Sequence, residues 1–314
     1  MRFSWAIIAV LSLGSFATAA EKVTMALNWI PEPEFGGIYA AKEQGAFAKH
    51  ELDVEISPGG AGVPTWQRVA QEKVEFGVAS ADEVIIARSK GADVVAIFTT
   101  YQTNPQGIMV HESRGLKTID EVFKSGTLAL EVGLPYTKFL DKKYGSAGVK
   151  RIPYTGGIAN FLADKNFAQQ CFVFSEPLAA KKQGSDPKTF LIADSGYNPY
   201  TGVIVTSGKY LKEHPAQVAA MAESLREGWE QYQKDPKTAN EVMGKLNKSM
   251  DAETFAAAAK AQEELVSPRM VDDFVIGSMT AARWQTLIDQ LVDLKIVKNP
   301  PKATECFKSF GQGG

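Results

Sequence analysis

The side chains of this chain best suited to chemistry are aromatic and acidic residues placed where short apolar runs end and helical patterns begin. Asn28-Trp29 closes the first such run, and Glu34-Phe35-Gly36-Gly37 leads into a helical stretch that carries Tyr39. An indole presents a flat face to a planar ligand, worth about 0.5–1.5 kcal/mol beyond the area it covers. Asn28 can donate and accept, while Gly36 and Gly37 allow close approach of backbone or ligand. Ser80-Ala81 follows a third run, Tyr101 and Asn104 follow a fourth, and Tyr136 and Tyr200 hold comparable positions further on. Glu176 precedes Pro177 at a strand-to-helix turn, where it could accept an amine, amide or ring N–H, because a buried carboxylate needs a partner. Each has a structural alternative. Trp29 could be a core aromatic, Ser80 a helix cap paired with Glu83, and Glu176 a carboxylate favoured by a helix dipole.

The chemistry of an enzyme is hard to assemble from the remaining residues. There is no G-x-S-x-G, H-E-x-x-H, P-loop or Rossmann glycine pattern. The Gly59–Pro64 segment, GGAGVP, opens a helix and reads either as a turn or as a cradle of backbone N–H groups for an anion. His50, His111 and His214 stand apart from one another and from Cys171 and Cys306, so no metal-ligand spacing is present. The expectation is a non-enzymatic protein with no metal and no cofactor. Cys171, within QQCFVF, suits a small buried thiol, with one bridge to Cys306 as the alternative. With 34 basic and 36 acidic residues and no long single-sign run, neither nucleic acid nor an anionic membrane is an expected partner.

The elements that must position these residues alternate in the α/β manner. Arg2, the apolar stretch from Phe3 to Phe16 and Ala17-Thr18-Ala19 predict a signal peptide over residues 1–20, and hence export to the periplasm. Strands are predicted at VTMALNW, LDVEISPG, VEFGVAS and DVVAIFTTY. Helices lie between them, one opened by a Ser80-to-Glu83 capping box and one, GGIYAAKEQGAF, ended by Gly45. A second set follows: GIMVHES, a short helix capped by Thr118 and Glu121, TLALEV, VKRIPYT, QQCFVFS and FLIAD, then TGVIVTS. From Tyr210 to about Val297 the pattern is almost entirely helical. Two lobes are expected, 21–105 plus 205–314 and 106–204, with crossings near 103–110 and 198–206. A ligand cleft is expected between the lobes, at the carboxyl ends of the strands.

These blocks resemble the periplasmic substrate-binding proteins of ABC transporters, in the branch that includes binders of thiamine-pyrimidine precursors, alkanesulfonates, nitrate and riboflavin. The resemblance rests on NWIPEPEFGGIYAAKEQGAF, LDVEISPGG, VEFGVASADEVIIARSKGADVVAIF, PQGIMVHESRGLKTIDE, FSEP followed by Gly184, and KEHPAQVAAMAESLREGWEQYQKDP. It implies a two-lobed, venus-flytrap fold and capture of a small solute for a membrane permease by a monomer. It also implies that Trp29, Phe35, Gly36, Gly37, Tyr39, the turn Ala79-Ser80-Ala81 and Glu176 line the cleft. Where the pyrimidine binders carry a polar segment with Asn, Thr and His, this chain has PEPEF. The expected ligand is a planar nitrogen heterocycle such as a thiamine-precursor aminopyrimidine, stacked by Trp29 and Tyr39 from one lobe and met by Glu176 and Tyr136 from the other. The alternatives are a riboflavin, sulfonate or nitrate receptor, a sensor partner, or a pyrimidine-biosynthesis enzyme on the same fold.

Overall fold

The computed structural model describes residues 21–60, 64–268 and 274–310. The expected signal peptide, the middle of the Gly59–Pro64 turn and the closing GQGG lie outside them. Ten strands form two five-stranded sheets. The first has the order β2-β1-β3-β10-β4, built from β1 (Glu21–Ala26), β2 (Leu52–Ser57), β3 (Phe76–Ala79), β4 (Val95–Tyr101) and β10 (Thr201–Thr206). The second has the order β7-β6-β8-β5-β9, from β5 (Gln106–His111), β6 (Thr127–Leu130), β7 (Lys150–Pro153), β8 (Phe167–Phe172) and β9 (Pro187–Leu191). In each sheet one strand runs against its neighbours. β10 is antiparallel to β3 and β4, and β5 is antiparallel to β8 and β9. Both are the first strand after the chain has passed from one sheet to the other, so the two sheets are exchanged at matching places.

Local sequence explains the strands. β4, VAIFTTY, is buried along its whole length, as an apolar run covered on both faces must be. β2, LDVEIS, alternates buried and exposed positions at its start, as an edge strand with one wet face does. The predicted strand FLIAD lies earlier, at Pro187–Leu191, because Ala193–Ser195 turns and Gly196 takes the left-handed φ of 94°. The stretch GGIYAAKEQGAF forms two helices, Gly36–Glu43 and Ala46–Lys49, broken at Gly45 with φ 85°.

The long helix Pro215–Lys234 spans about 30 Å and packs along Gly36–Glu43. A Cβ on Gly36 would lie 2.2 Å from the Tyr232 ring, one on Gly37 2.3 Å from the Trp229 ring, and one on Gly228 2.2 Å from the Gly37 carbonyl oxygen. Close contact between these two helices therefore needs all three glycines. Trp229 and Tyr232 anchor the apolar cluster of the first sheet, which also takes in Phe35, Ile38, Tyr39 and, from beyond the second sheet, Phe174. Cys171 and Cys306 are both buried free thiols, in different clusters.

Candidate ligand-binding crevice

The chain leaves the first sheet after Tyr101 and returns to it at Thr201, and Arg283 ties these two crossings together. Its guanidinium donates to the carbonyls of Asn198 (3.0 Å) and Gln102 (2.6 Å) and to Oδ1 of Asn198 (3.1 Å), which also accepts from the Asn104 N–H at 2.8 Å. The same guanidinium lies 3.9 Å from the centre of the Tyr200 ring. Tyr200 is buried and its hydroxyl accepts the Thr280 N–H at 3.1 Å. This hinge work corrects the expectation that Tyr200 meets a ligand. Tyr101 is likewise buried: it stacks on Phe174, with ring centres 5.7 Å apart, and donates to Gln262.

Several further expectations change in the same way. Phe35 and Tyr39 belong to the core under the first sheet, so Tyr39 cannot stack on a ligand. Gly36 and Gly37 serve the helix packing described above. Ala81 is fully buried, and its N–H donates to the Tyr200 carbonyl at 3.0 Å. Tyr136 is buried with its hydroxyl donated to Gln170. Ser80 keeps part of its surface, but its hydroxyl goes to Asp82 and Glu83 and its N–H to Glu83 at 2.9 Å, completing the capping box.

What remains at the carboxyl ends of the strands is an acidic set around one indole. Trp29 is 40% exposed and Asn28 is exposed beside it. The Trp29 carbonyl accepts the Gly59 N–H at 3.0 Å, and a Cβ on Gly59 would fall 2.0 Å from the Leu27 carbonyl oxygen, so this glycine sets the path of the indole segment. Two residues further on, Pro31-Glu32 leads into a short 3-10 turn, Pro33–Phe35; both prolines are buried, and Glu32 and Glu34 are half-buried. From the other sheet comes Glu176, held by the Phe172 N–H at 2.8 Å and the Tyr154 hydroxyl at 3.1 Å.

These carboxyl groups are poorly solvated and repel one another. Withdrawal from water and the nearby Glu176 push Glu32 up to about 7, offset in part by the polar hydrogens of Trp29, Ser175 and Asn247. Glu34, with no hydrogen bond to any described residue, is pushed well above the usual carboxylate range by desolvation and then by Glu32 and Glu176. Desolvation also raises Glu176, against the hydrogen bonds that favour its charged form. A second acidic pair lies nearby. Glu83 is pushed up to about 7 by desolvation, Asp82 and Glu131, and Glu131 stands at the end of β6 beside Gln170. Among the described residues, no Lys, Arg or His forms an ion pair with Glu32, Glu34, Glu83, Glu131 or Glu176. Sequence reasoning missed Glu32, Glu131 and Tyr154 as crevice residues and took Glu83 only as a cap. The available signal was two glutamates in a proline-rich turn directly after a strand. A cavity of about 120 Å³ lies beside Tyr154 within the second lobe, lined also by Gly156, Gly157 and Gln169.

Glu83 gives a pH test. Its native pKa of about 7 lies above the unfolded-chain value of 4.5, so the native state holds an extra proton between the two. The stability this contributes is complete below about 4.5 and is lost as pH rises through about 7. Glu83→Gln keeps the capping-box acceptor and carries no charge. It should leave the melting temperature unchanged at pH 4 and raise it at pH 8 by the equivalent of about 1–3 kcal/mol. An equal effect at both pH values would contradict the assignment.

Comparison with known proteins places this geometry. A family model described as NMT1/THI5 like matches residues 32–239. The chain is 22% identical to a formylaminopyrimidine-binding protein of Halalkalibacterium halodurans, over 97% of each chain. It is 23% identical to a 4-amino-5-hydroxymethyl-2-methylpyrimidine phosphate synthase of Legionella pneumophila, over 45% of this chain and 44% of that one. Among solved structures, the periplasmic aliphatic sulphonate binding protein SsuA of Escherichia coli superposes with a TM-score of 0.71 at 15% identity, covering 94% of both chains. The fold is the two-lobed periplasmic-binding-protein fold.

Proposed function

Since the chain belongs to the NMT1/THI5-like family, we propose that it is the periplasmic solute-binding component of an ABC importer and captures a planar, nitrogen-rich heterocycle of the aminopyrimidine class between its lobes. The observation that carries this reading is the exposed Trp29 indole beside Glu32, with Glu34 and Glu176 next to that carboxyl, acceptors without cationic partners. The indole supplies a stacking face, and the carboxylates supply acceptors for amino and ring N–H groups. A sulfonate or nitrate would need donors where this crevice offers carboxylates. A pyrimidine-forming reaction that consumes an active-site histidine finds little support. His50 faces Glu227 at 2.9 Å, His111 is buried against Phe161, and His214 stacks on Tyr210, all away from the crevice.

On this reading the lobes are 21–105 with 201–314, and 106–200, the return being set at Thr201 because Thr201–Ile204 pair with β3 and β4. Residues 1–20 direct export, the protein acts as a monomer in the periplasm, and closure of the lobes is what the permease reads. Closure follows ligand only if the ligand contacts both lobes. Thermal unfolding of refolded, ligand-stripped protein tests the proposal. At a hundred times its dissociation constant a ligand adds about 2.7 kcal/mol, and a shift of roughly 5 °C is expected with an aminopyrimidine. A shift with an alkanesulfonate or nitrate alone would overturn it.

A further inference from the structure

One turn of the second lobe reaches into the core of the first. Between β8 and the helix Glu176–Lys182, Phe174 is 2% exposed and belongs to the apolar cluster of Phe35, Tyr39 and Trp229. Among the described residues it is the only one of 106–200 counted in the buried part of that cluster, and its neighbours Phe172 and Leu178 pack against the same cluster half-buried. Its ring stacks on Tyr101 with centres 5.7 Å apart and planes 24° from parallel, and Tyr101 meets the Trp229 ring at 6.4 Å. The backbone around it is fixed. The Val173 N–H donates to the Pro105 carbonyl at 3.1 Å, beside the first crossing, and the Ser175 N–H to the Phe172 carbonyl at 2.9 Å, while the Glu176 carboxyl accepts the Phe172 N–H. The turn is rooted at the crossing and carries Phe174 and Glu176 beyond that root as one piece.

The seat of Phe174 is also connected to the acidic turn of the first lobe. The Tyr101 hydroxyl donates to Oε1 of Gln262, and Nε2 of Gln262 donates to the Pro33 carbonyl at 2.8 Å. Pro33 opens the turn that holds Glu34 and directly follows Glu32. Glu176 from one lobe and the Pro33 turn from the other therefore take their positions from the same aromatic contact. Other contacts across this boundary are of a different kind. Lys182 with Asp251 and Lys142 with Asp293 are exposed ion pairs, which contribute little to holding two surfaces together. Tyr197 donates to Asp82 at 3.0 Å, but it stands just before the return crossing, where the lobes stay joined at any hinge angle. Seating a phenyl side chain instead multiplies the closed-to-open ratio by about 10- to 100-fold. The contact is between protein groups alone, so it acts with or without solute.

We infer that Phe174 is an interlobe key and a positioning residue for the crevice: seated on Tyr101, it draws the lobes together and sets Glu176 opposite the Pro33 turn, and the crevice opens when it withdraws. The biological meaning rests on the importer reading, whereas the key is a property of the protein without solute. Part of the driving force for closure is then supplied by the chain itself. A small solute that bridges the lobes has only to complete the closure, and its apparent affinity rises with the closed fraction that it meets. Apolar burial is non-directional, so the key favours no cargo over another, and selection among solutes stays with Trp29 and the carboxyl groups.

Small-angle scattering on refolded, ligand-stripped protein tests the key without knowledge of the cargo. Phe174→Ala should leave the protein mostly open, with a radius of gyration larger by about 5% on the roughly 19 Å of a packed chain of this length. Phe174→Leu keeps a smaller apolar plug and should fall between the two; it carries the test alone if the alanine variant does not melt cooperatively. A side chain with only a packing role would lower the melting temperature and leave the radius of the folded protein unchanged. Cooperatively melting variants with the parent's radius would therefore overturn the key. A ligand arm with 4-amino-5-hydroxymethyl-2-methylpyrimidine separates this outcome from failure of the pyrimidine reading. The opened variant should contract to the parent's radius and bind the pyrimidine about 3- to 10-fold more weakly, the reciprocal of its remaining closed fraction. Enlarged variants, with the pyrimidine bound by neither variant nor parent, would keep the key and discard the pyrimidine. Equal binding of the pyrimidine by parent and variants of unchanged radius would keep the pyrimidine and discard the key.

Discussion

Replacing Glu176 by Gln should weaken binding of an ammonium-bearing pyrimidine by roughly 30- to 5,000-fold, since truncating one member of a desolvated, hydrogen-bonded charge pair costs about 2–5 kcal/mol. Glu176 is the best positioned of the acids, because the Phe172 N–H and the Tyr154 hydroxyl fix its two oxygens. A glutamine keeps that frame. Its carbonyl oxygen can still accept the Phe172 N–H, and its amide can face the Tyr154 oxygen. The empty protein should therefore unfold at an unchanged or higher temperature, since one of three mutually repelling carboxyls is gone. Calorimetric titration beside a melting curve separates the two effects. Undiminished affinity, or a loss matched by a fall in melting temperature, would remove Glu176 from the site.

The largest effect on stability should come from Trp229→Ala. The indole is fully buried where the helix Pro215–Lys234 crosses Gly36–Glu43, and deletion of such a side chain costs about 3–5 kcal/mol. Gly37→Ala should cost about 1–3 kcal/mol for the opposite reason, overpacking, as its Cβ would meet the same ring at 2.3 Å. The two changes share one volume. Combined, they should cost clearly less than the sum of the two, because the added methyl enters the space that the indole vacates. Denaturant unfolding of the four proteins provides the cycle, and strict additivity would show that Gly37 and Trp229 do not compete for that space.

The alternation of strands and helices and both Ser/Thr-to-Glu capping boxes were legible because each depends on residues within a few positions of one another. Side-chain destination was harder to read. Gly36, Gly37 and Tyr39 looked like a binding segment until the helix nearly 200 residues later covered them, and nothing local marks which face of that turn the helix will take. Tyr200 resembled a cleft aromatic because it does lie at a crossing, but Arg283, from the helical tail, claims its ring. Trp29, Glu34 and Glu176 were singled out because strand ends are where an α/β crevice forms. Glu32 was missed because a Pro-Glu-Pro-Glu turn has no period from which to tell inward from outward. Its meaning depends on Glu176, which only the fold brings near.

The central claim is that the crevice binds an aminopyrimidine-class heterocycle through its carboxyl groups, which favour a donor-rich or cationic ligand over an anion. Calorimetric titration of the stripped protein at pH 7.5 with three pyrimidines differing only at the 5-substituent tests it most directly: aminomethyl (a cation), hydroxymethyl (neutral) and carboxylate (an anion). The account predicts the cation tightest by at least tenfold, the neutral compound weaker, and no measurable binding of the anion. Tightest binding of the carboxylate, or one affinity for all three, would contradict it.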